Sequence, residues 1–427
     1  MLQSVYLAVC LTTVIGSVLA TGPGQSIPPA SHLAEAEVFE SARRSVFLIE
    51  TESGQGSGFL IDASGLILTN DHVVGTGDYL AVGVAPNRKY VAAVVARDRS
   101  RDLAIIRVHP EAVSGVQPLR FGVPSGRLVR VGERVMAIGS TFTGEGAVLT
   151  LGSVSQVDAD RILADLNVNS GTSGGPLLNA SGDVVGICTF YVRAPAGPGF
   201  AGIVPDVAVR PIVAQAMASP TRTLPSPERL PIPSLVPYPV AALRDRAWAI
   251  RDIGQYGTTV GGVRIDVLTP PAVYFEANNM RVMQARKNGR GVPGGEYAWH
   301  ALTGHIEPIV AIRVSPDDVS PRPHRETTRR SVLRLRLVRN GTDVVPIVPG
   351  RFCSEEARNS SSREQDGCMG LYQYCPEPFA ADADIRLHVY LEGAAPIEWR
   401  LPTSLIRAIW SDFGPWRAAV GATAPCG

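Results

Sequence analysis

The sequence predicts an all-β protein of two units joined by a proline-rich linker. Short apolar runs alternate with turn residues from Ser45 to Val108 and again from Arg134 to Val204, a spacing typical of closed antiparallel barrels. Seven prolines from Pro220 to Pro239 then exclude regular structure. A length of 427 residues is too great for one ordinary domain and agrees with two or three.

Residues 1–20 have the character of a secretory signal peptide. Val5–Ala20 is a mostly apolar run of 16 residues that ends on small residues, which is short for a membrane span and about right for a signal sequence. No Lys or Arg precedes the run, so an uncleaved N-terminal anchor is the alternative. Either route predicts an exported protein, whether periplasmic, secreted or membrane-anchored.

The first unit, residues 36–218, is expected to have helices at its ends and strands between them. His32–Arg44 has helix-compatible composition, and Asp206–Met217 has the apolar content of a short closing helix, with Asp206 as a possible N-cap. The predicted strands are Ser45–Glu50, Gly58–Ile61, Leu66–Thr69, Leu80–Val84, Val91–Ala96, Leu103–Val108, Arg134–Ile138, Ala147–Val154, Ile162–Leu166, Pro176–Leu178, Val184–Phe190 and Gly199–Val204.

Residues 219–240 are predicted to be a semi-rigid, partly polyproline linker, and residues 241–427 a second, β-rich domain. Ile309–Val314, Val332–Val338 and Ile385–Leu391 alternate or nearly alternate in polarity, as half-buried strands do. Asn340-Gly341 is a typical hairpin turn. We therefore expect a sandwich-like fold in this domain.

Cysteine usage agrees with export. Four of the six cysteines lie in the second domain: Cys353, Cys368, Cys375 and Cys426. In an exported protein they predict disulfides, with three possible pairings. A zinc site is the competing interpretation, but no Cys-x-x-Cys pair is present. His300 and His305 likewise lack a third ligand in a recognisable motif, so neither a metal nor an organic cofactor is expected.

The most informative stretch surrounds one serine with glycines: Asn169-Ser170-Gly171-Thr172-Ser173-Gly174-Gly175-Pro176-Leu177. Gly171 can take backbone angles closed to other residues, while Gly174 and Gly175 let a ligand carbonyl approach the main chain. Such a loop can present the Ser173 hydroxyl and aim the N–H groups of Gly171 and Ser173 at one oxyanion. Taken alone, the stretch fits a glycine-rich hairpin with an incidental serine equally well.

Two upstream residues favour a catalytic role for this serine. His72 follows an apolar strand that ends at Thr69, and Asp102 stands at the start of the apolar run Leu103–Val108. Asp98, in the preceding polar turn, is the weaker candidate for the acid. The order His, Asp, Ser is that of chymotrypsin-like enzymes, in which serine attacks, histidine carries the proton and aspartate holds the imidazole.

Five motifs resemble the protease domain of the HtrA/Deg-type trypsin-like serine proteases. They are Gly56-Ser57-Gly58-Phe59-Leu60-Ile61, Leu68-Thr69-Asn70-Asp71-His72-Val73-Val74, Asp102-Leu103-Ala104, Ala137-Ile138-Gly139-Ser140 and Gly171-Thr172-Ser173-Gly174-Gly175-Pro176-Leu177. The resemblance implies a chymotrypsin-like double β-barrel over residues 36–218, with the triad at the junction. Thr172 stands where the family usually has Asn, which matters little because backbone N–H groups hold the oxyanion. Residues 241–427 lack the pattern of the PDZ domain that most members carry there.

By the same resemblance, the strand Gly186–Phe190 frames the specificity pocket, and its residues Cys188, Thr189 and Phe190 are predicted to bind substrate. No acidic residue lies in that strand or in the six positions before Ser173. We therefore expect a small or medium apolar side chain before the scissile bond, rather than Arg or Lys. The family pattern gives Asp165, the nearest carboxylate on the N-terminal side, a structural role.

The sequence thus predicts an exported serine endopeptidase that acts on protein or peptide substrates through an acyl-enzyme. The alternative is an envelope or surface binding protein whose protease-like domain has weak or no activity. A formal net charge of +1 gives no electrostatic argument for nucleic acid or an anionic membrane as partner. Membrane contact is expected only through an N-terminal anchor, and no oligomeric state is indicated. The Arg-rich run Arg325–Arg336 is predicted to be a solvated strand face.

Overall fold

The computed structural model describes residues 30–52, 54–77, 79–85, 88–121, 129–140, 146–166, 171–192, 200–218, 229–234, 236–250, 253–275, 307–316, 332–352, 369–380 and 382–420. Several predictions lie outside these residues: the signal or anchor segment 1–20, the pair His300 and His305, and the cysteines Cys353, Cys368 and Cys426. Within the described ranges, no helix is both long and apolar enough to cross a membrane.

The first unit begins with an eight-stranded antiparallel sheet. Its strands are β1 Val46–Thr51, β2 Gly54–Asp62, β3 Leu66–Thr69, β4 Leu80–Ala85, β5 Arg88–Val91, β6 Ala93–Asp98, β7 Leu103–Arg107 and β14 Arg229–Leu230. They are hydrogen-bonded in the order β14-β5-β4-β1-β2-β3-β7-β6. Every residue of β3 and β7 is buried. This strand pair therefore lies in the core, and the residues that directly follow β3 or precede β7 lie at the edge of the core.

A closed six-stranded barrel follows. Its strands are β8 Arg134–Ser140, β9 Ala147–Val157, β10 Ile162–Ala164, β11 Pro176–Leu178, β12 Val184–Val192 and β13 Phe200–Pro205. They close in the order β10-β13-β12-β11-β8-β9. The three residues of β11 are all buried, and the strand pairs with both β8 and β12. The serine turn directly before β11 is therefore attached to an interior strand of the barrel.

A shared apolar core joins the sheet to the barrel. The helices of this unit are α1 Ala30–Ala42, the single turn α2 Asp71–Val74 and α3 Asp206–Ala218. Val209 and Ile212 of α3 are buried in the same cluster as Leu68 and Leu103 of the sheet and Ile138 of the barrel. Because protein interiors are close-packed, this cluster fixes the two halves relative to each other at the cleft between them.

The second domain has two antiparallel sheets with helices packed against them. Its elements are α4 Val240–Ala249, β15 Gly257–Val260, β16 Val263–Leu268, β17 Val310–Pro316, β18 Val332–Arg339, β19 Thr342–Val344, β20 Val348–Phe352, β21 Met369–Tyr374, β22 Ile385–Leu391, β23 Ile397–Arg400, α5 Thr403–Asp412 and α6 Gly414–Val420. The sheets have the orders β15-β16-β17-β21-β20 and β19-β18-β22-β23. One core contains residues of both sheets together with Phe413 and Trp416, which pack edge-to-face.

Several sequence-based predictions for this domain are confirmed, and one prediction for the linker is wrong. Ile385–Leu391 is β22, and Asn340 and Gly341 form the hairpin turn between β18 and β19, with φ of 49° and 84°. Arg336, in the described part of the Arg-rich run, forms a bidentate ion pair with Asp343. The proline-rich segment is not wholly irregular, because Arg229–Leu230 add an edge strand to β5. Edge pairing tolerates prolines that flank the paired residues.

The second domain contacts the first sheet through a backbone carbonyl just before β20. The Ile347 oxygen accepts hydrogen bonds from Lys89 Nζ at 2.6 Å and from the Tyr79 hydroxyl at 2.9 Å. Lys89 also forms an ion pair with Glu50 at 2.9 Å, and the two side chains are only 5% and 9% exposed. A buried charge pair that is completed by the other domain ties the two domains together.

Candidate active site

The histidine and the aspartate proposed for the triad are in contact. Because Thr69 pairs with Ala104, β3 ends where β7 begins. His72 follows β3 and Asp102 precedes β7, and His72 Nδ1 lies 2.6 Å from Asp102 Oδ2. The His72 backbone N–H also donates to Asp102 Oδ1, at 2.8 Å. Both carboxylate oxygens of Asp102 therefore bind His72. The second ring nitrogen, Nε2, lies on the side of the imidazole that faces away from Asp102.

Asp102 has a strained backbone, whereas Asp98 is an ordinary turn residue. The φ of Asp102 is 56°, in the left-handed region that L-residues other than glycine occupy at a cost. The carboxylate of Asp98 instead accepts hydrogen bonds from the side chains of Ser100 and Arg101 in its own turn. The hydrogen bond from Ser100 is the main cause that lowers the pKa of Asp98. The contacts therefore favour Asp102 as the acid.

Ser173 lies in a turn of the barrel that Ser57 of β2 holds from the other half. The Ser57 N–H donates to the Ser173 carbonyl at 2.8 Å, and Ser57 Oγ donates to the Gly171 carbonyl at 2.5 Å. The same Oγ accepts from the Ser140 N–H at 2.7 Å. Ser57 is fully buried, so its hydroxyl satisfies a donor and an acceptor across the junction. The position of the serine turn thus depends on the sheet that carries His72.

Two glycines after Ser173 are required by the chain's own backbone. Gly174 has φ +83°, and a Cβ there would lie 2.0 Å from the Ser57 carbonyl oxygen. A Cβ on Gly175 would lie 2.1 Å from the Ile138 carbonyl oxygen. The sequence led us to expect that these glycines make room for a ligand. The contacts show instead that they make room for strands β2 and β8.

The turn also sets the direction of the Ser173 N–H. The Gly175 N–H donates to the Thr172 carbonyl at 2.9 Å. In a planar trans peptide the C=O and the N–H point in opposite directions, so the Ser173 N–H points away from the inside of the turn. That direction is compatible with the predicted oxyanion hole of Gly171 and Ser173. The Thr172 side chain is buried.

The comparisons with known proteins cover this same region. A family model described as a trypsin-like peptidase domain matches residues 56–187. The putative serine protease HhoA of Synechocystis sp. is 36% identical over 161 residues, which cover 35% of this chain and 40% of that protein. Serine protease HTRA4 of Mus musculus is 38% identical over 157 residues, 34% of this chain and 32% of that protein.

A probable periplasmic serine endoprotease, DegP-like, of Rickettsia conorii is 33% identical over 172 residues, 37% of this chain and 33% of that protein. Among solved structures, the crystal structure of Deg5 is 26% identical, with 45% of this chain and 97% of that chain covered and a TM-score of 0.38. The chain matches 32–40% of the length of these three curated relatives. The matched region is a trypsin-like serine protease domain of the HtrA type.

Strand β12 holds the serine turn of this HtrA-type domain through its backbone. The Gly174 N–H donates to the Cys188 carbonyl at 2.8 Å, and the Cys188 N–H donates to the Gly175 carbonyl at 2.9 Å. The Cys188 side chain is buried in the barrel core, where loss of hydration raises the pKa of its thiol to about 12. Thr189 is buried as well. The side chains of these two residues therefore belong to the interior of the barrel, and the binding role of Cys188, Thr189 and Phe190 stays a prediction.

Sequence reasoning missed the contribution of Asn70 to the HtrA-type site. Asn70 is fully buried at the end of β3. Its Nδ2 donates to the Asp102 carbonyl at 2.9 Å and to Thr189 Oγ1 at 3.0 Å. The available signal was a polar residue directly after an apolar strand, two positions before His72. A buried amide needs hydrogen-bond partners, and here they belong to the acid and to β12.

Other polar groups near the site have structural contacts. Asp165 accepts a short hydrogen bond from the Ser153 N–H on β9, and this contact agrees with the structural role that the family pattern gives it. In the part of the chain that the structure describes, no group of three His, Cys, Asp or Glu side chains is placed to hold a metal ion.

Proposed function

We propose that the protein is an exported serine endopeptidase that hydrolyses peptide bonds of protein substrates through an acyl-enzyme. The observation that carries the proposal is the double contact of Asp102 with His72, beside a serine turn that Ser57 holds in place. A binding protein without activity has no physical need for this arrangement. The relatives named as serine proteases agree with the proposal.

In the proposed reaction, Ser173 Oγ attacks the carbonyl carbon of the scissile bond while His72 Nε2 takes the hydroxyl proton. Asp102 accepts the Nδ1–H, keeps the imidazole in the tautomer with a free Nε2 lone pair, and stabilises the imidazolium. The N–H groups of Gly171 and Ser173 hold the oxyanion, and loss of one such donor typically costs about 3 kcal/mol. The imidazolium then protonates the leaving amine, and water activated by the same imidazole hydrolyses the acyl-enzyme. This sequence needs no metal or organic cofactor.

Specificity and location form the second part of the proposal. The absence of acidic residues from Gly186–Phe190 and from the six positions before Ser173 favours small or medium apolar side chains before the scissile bond. A strong Arg preference in a fluorogenic peptide library would contradict this. Export is supported by the signal-like segment and by the relative named as periplasmic. It is also supported by Cys375, which is disulfide-bonded, because such bonds are rare in the reducing cytosol. Recovery of the full-length protein only in the cytosolic fraction would contradict export.

The experiment that tests the proposed activity compares the wild-type chain with Ser173→Ala. We expect wild-type protein to cleave casein and to react with a serine-directed fluorophosphonate probe, and the variant to do neither while keeping the same circular dichroism and melting temperature. Cleavage that is undiminished in Ser173→Ala would refute the assignment of the nucleophile. A folded wild-type protein that neither cleaves nor reacts would favour the binding-protein alternative.

A further inference from the structure

We propose that Asn70 is a positioning residue that keeps Asp102 in its strained conformation and connects it to β12, the strand that anchors the serine turn. This inference rests on the proposed function, because its consequence is the orientation of His72. Among the side-chain hydrogen bonds of the described residues, Asp102 has two partners: His72, which it orients, and Asn70, which donates to its carbonyl.

The amide of Asn70 uses its two N–H bonds on acceptors from the two halves of the domain. Asp102 precedes β7 of the sheet, whereas Thr189 belongs to β12 of the barrel. The Asp102 carbonyl can only accept a hydrogen bond, so the amide atom that faces it at 2.9 Å must be the Nδ2 donor. Asn70 Oδ1 is buried without a hydrogen-bond partner among the described residues. The hydrogen bonds that the Asn70 amide donates therefore account for the position of its side chain.

The local backbone on both sides fits this bridge. Asp102 sits at a positive φ, and such residues persist only when their surroundings hold them. On the other side, the pairing of β12 with β13 shifts register between Cys188 and Phe190, so Thr189 is an extra residue in β12. Bulges of this kind re-aim a side chain, and here the hydroxyl of Thr189 is directed at Asn70.

The bridge predicts a specific kinetic phenotype for variants of Asn70 and Thr189. Without the amide, the Asp102 backbone can relax and both of its contacts with His72 loosen. Asn70→Ala should lower kcat by about tenfold to a hundredfold, the range expected for misplacement of a catalytic group, with KM changed less than about threefold. Thr189→Val should cause a smaller change of the same kind, and Thr189→Ser, which keeps the hydroxyl, should lose less of kcat than Thr189→Val.

Ser45→Ala provides the matched control. Ser45 Oγ donates a buried hydrogen bond to the Gln117 carbonyl at 2.6 Å, in the same domain but without contact to His72 or Asp102. This variant loses a comparable hydrogen bond of a buried side chain, but away from the site, so it should leave kcat and KM unchanged. An equal loss of kcat in Ser45→Ala and Asn70→Ala would overturn the inference, because it would show a general effect of lost stability.

A second measurement does not depend on activity. In the Ser173→Ala background, the low-field proton resonance of the His72 Nδ1–H reports its hydrogen bond to Asp102. We expect Asn70→Ala or Thr189→Val to broaden or shift this resonance, and Ser45→Ala to preserve it. An unchanged resonance in folded protein with either bridge variant would overturn the inference, whatever the activity. A wild-type chain that fails to react with the fluorophosphonate would instead contradict the proposed function, while the resonance would still decide the role of Asn70.

Discussion

At Gly174, a hydrogen atom in place of a side chain lets the Ser57 carbonyl reach the serine turn. A Cβ there would approach that oxygen to 2.0 Å, and φ is +83°. We expect Gly174→Ala to displace the turn and abolish labelling by the fluorophosphonate, because both the left-handed backbone and the close contact disfavour it. Gly132→Ala is the control, since Gly132 has φ +86° but no atom within 4 Å of the added Cβ.

The control separates backbone strain from the steric clash. Gly132→Ala should lower stability by roughly 1–2 kcal/mol, the cost of an alanine in the left-handed region, and should leave labelling intact. Chemical denaturation and probe labelling of the two variants measure this difference. Full labelling of Gly174→Ala at the wild-type rate would show that the turn tolerates a side chain at this position.

The residues of the candidate site show which of its parts can be predicted from the sequence. His72, Asp102 and Ser173 could be proposed because each follows or precedes an apolar strand in a recognisable motif. The roles of Ser57 and Asn70 could not be proposed, because both depend on contacts between the sheet and the barrel. Such pairings join residues 114 and 119 positions apart, and polarity patterns within one strand contain no information about them.

Helix α5 carries a buried carboxylate that makes the second domain sensitive to pH. Asp412 Oδ2 accepts hydrogen bonds from Tyr256 at 2.8 Å and from Thr269 at 2.7 Å. Burial is the main cause that raises the pKa of Asp412, and the two hydrogen bonds oppose it. The folded state therefore holds the proton more tightly than the unfolded chain. This contribution to stability is full below the unfolded pKa, about 3.9, and is lost as pH rises through the raised folded value.

The substitution Asp412→Asn tests this dependence. An amide has nearly the same shape and does not ionise, so the variant should gain stability relative to wild type as pH rises from about 4 to about 8. Urea unfolding at a series of pH values measures the difference. Asp382→Asn is the control, because the Asp382 side chain is 78% exposed. A difference between Asp412→Asn and wild type that is constant across the pH range would contradict the expectation.

The same helix shows why the elements of the second domain were harder to predict than those of the first. Strands β18 and β22 alternate buried and exposed residues in part or throughout, and the sequence showed them. Helices α4, α5 and α6 were not predicted. α5 and α6 are short and are separated only by Phe413. Tyr238 and Tyr256, which are distant in sequence, form hydrogen bonds with Asp412 at the end of α5.

Across the whole molecule, the pair of Lys89 and Glu50 connects the stability of one domain to the other. We expect Lys89→Met to lower the unfolding free energy by about 3–5 kcal/mol, because it leaves the buried Glu50 carboxylate without its positively charged partner. Arg88→Met, at the exposed neighbouring position on β5, should change stability little. Calorimetry should also resolve separate transitions for the two domains, because the hydrogen bond of Lys89 to Ile347 is lost and the Ile347 carbonyl keeps only the bond from Tyr79.

The double variant Glu50→Gln with Lys89→Met distinguishes the two effects. Removal of both charges should recover most of the lost free energy, since a neutral buried pair is often as stable as an ionic one. The separation of the two transitions should persist, because the bond from Lys89 to Ile347 is still absent. A Lys89→Met protein that melts like Arg88→Met, in one transition, would show that the hydrogen bond from Lys89 does not couple the domains.

The hydrogen bonds of Ser57 to the serine turn affect when the proposed enzyme becomes active. The Ser57 hydroxyl binds a carbonyl 114 positions further along the chain, so the serine turn cannot be held in place until the sheet and the barrel have both folded. Proteolytic activity would therefore begin only when both halves of the protease domain are assembled. Proteolysis would then be restricted to protein that has already folded, which protects the cell that makes the protease.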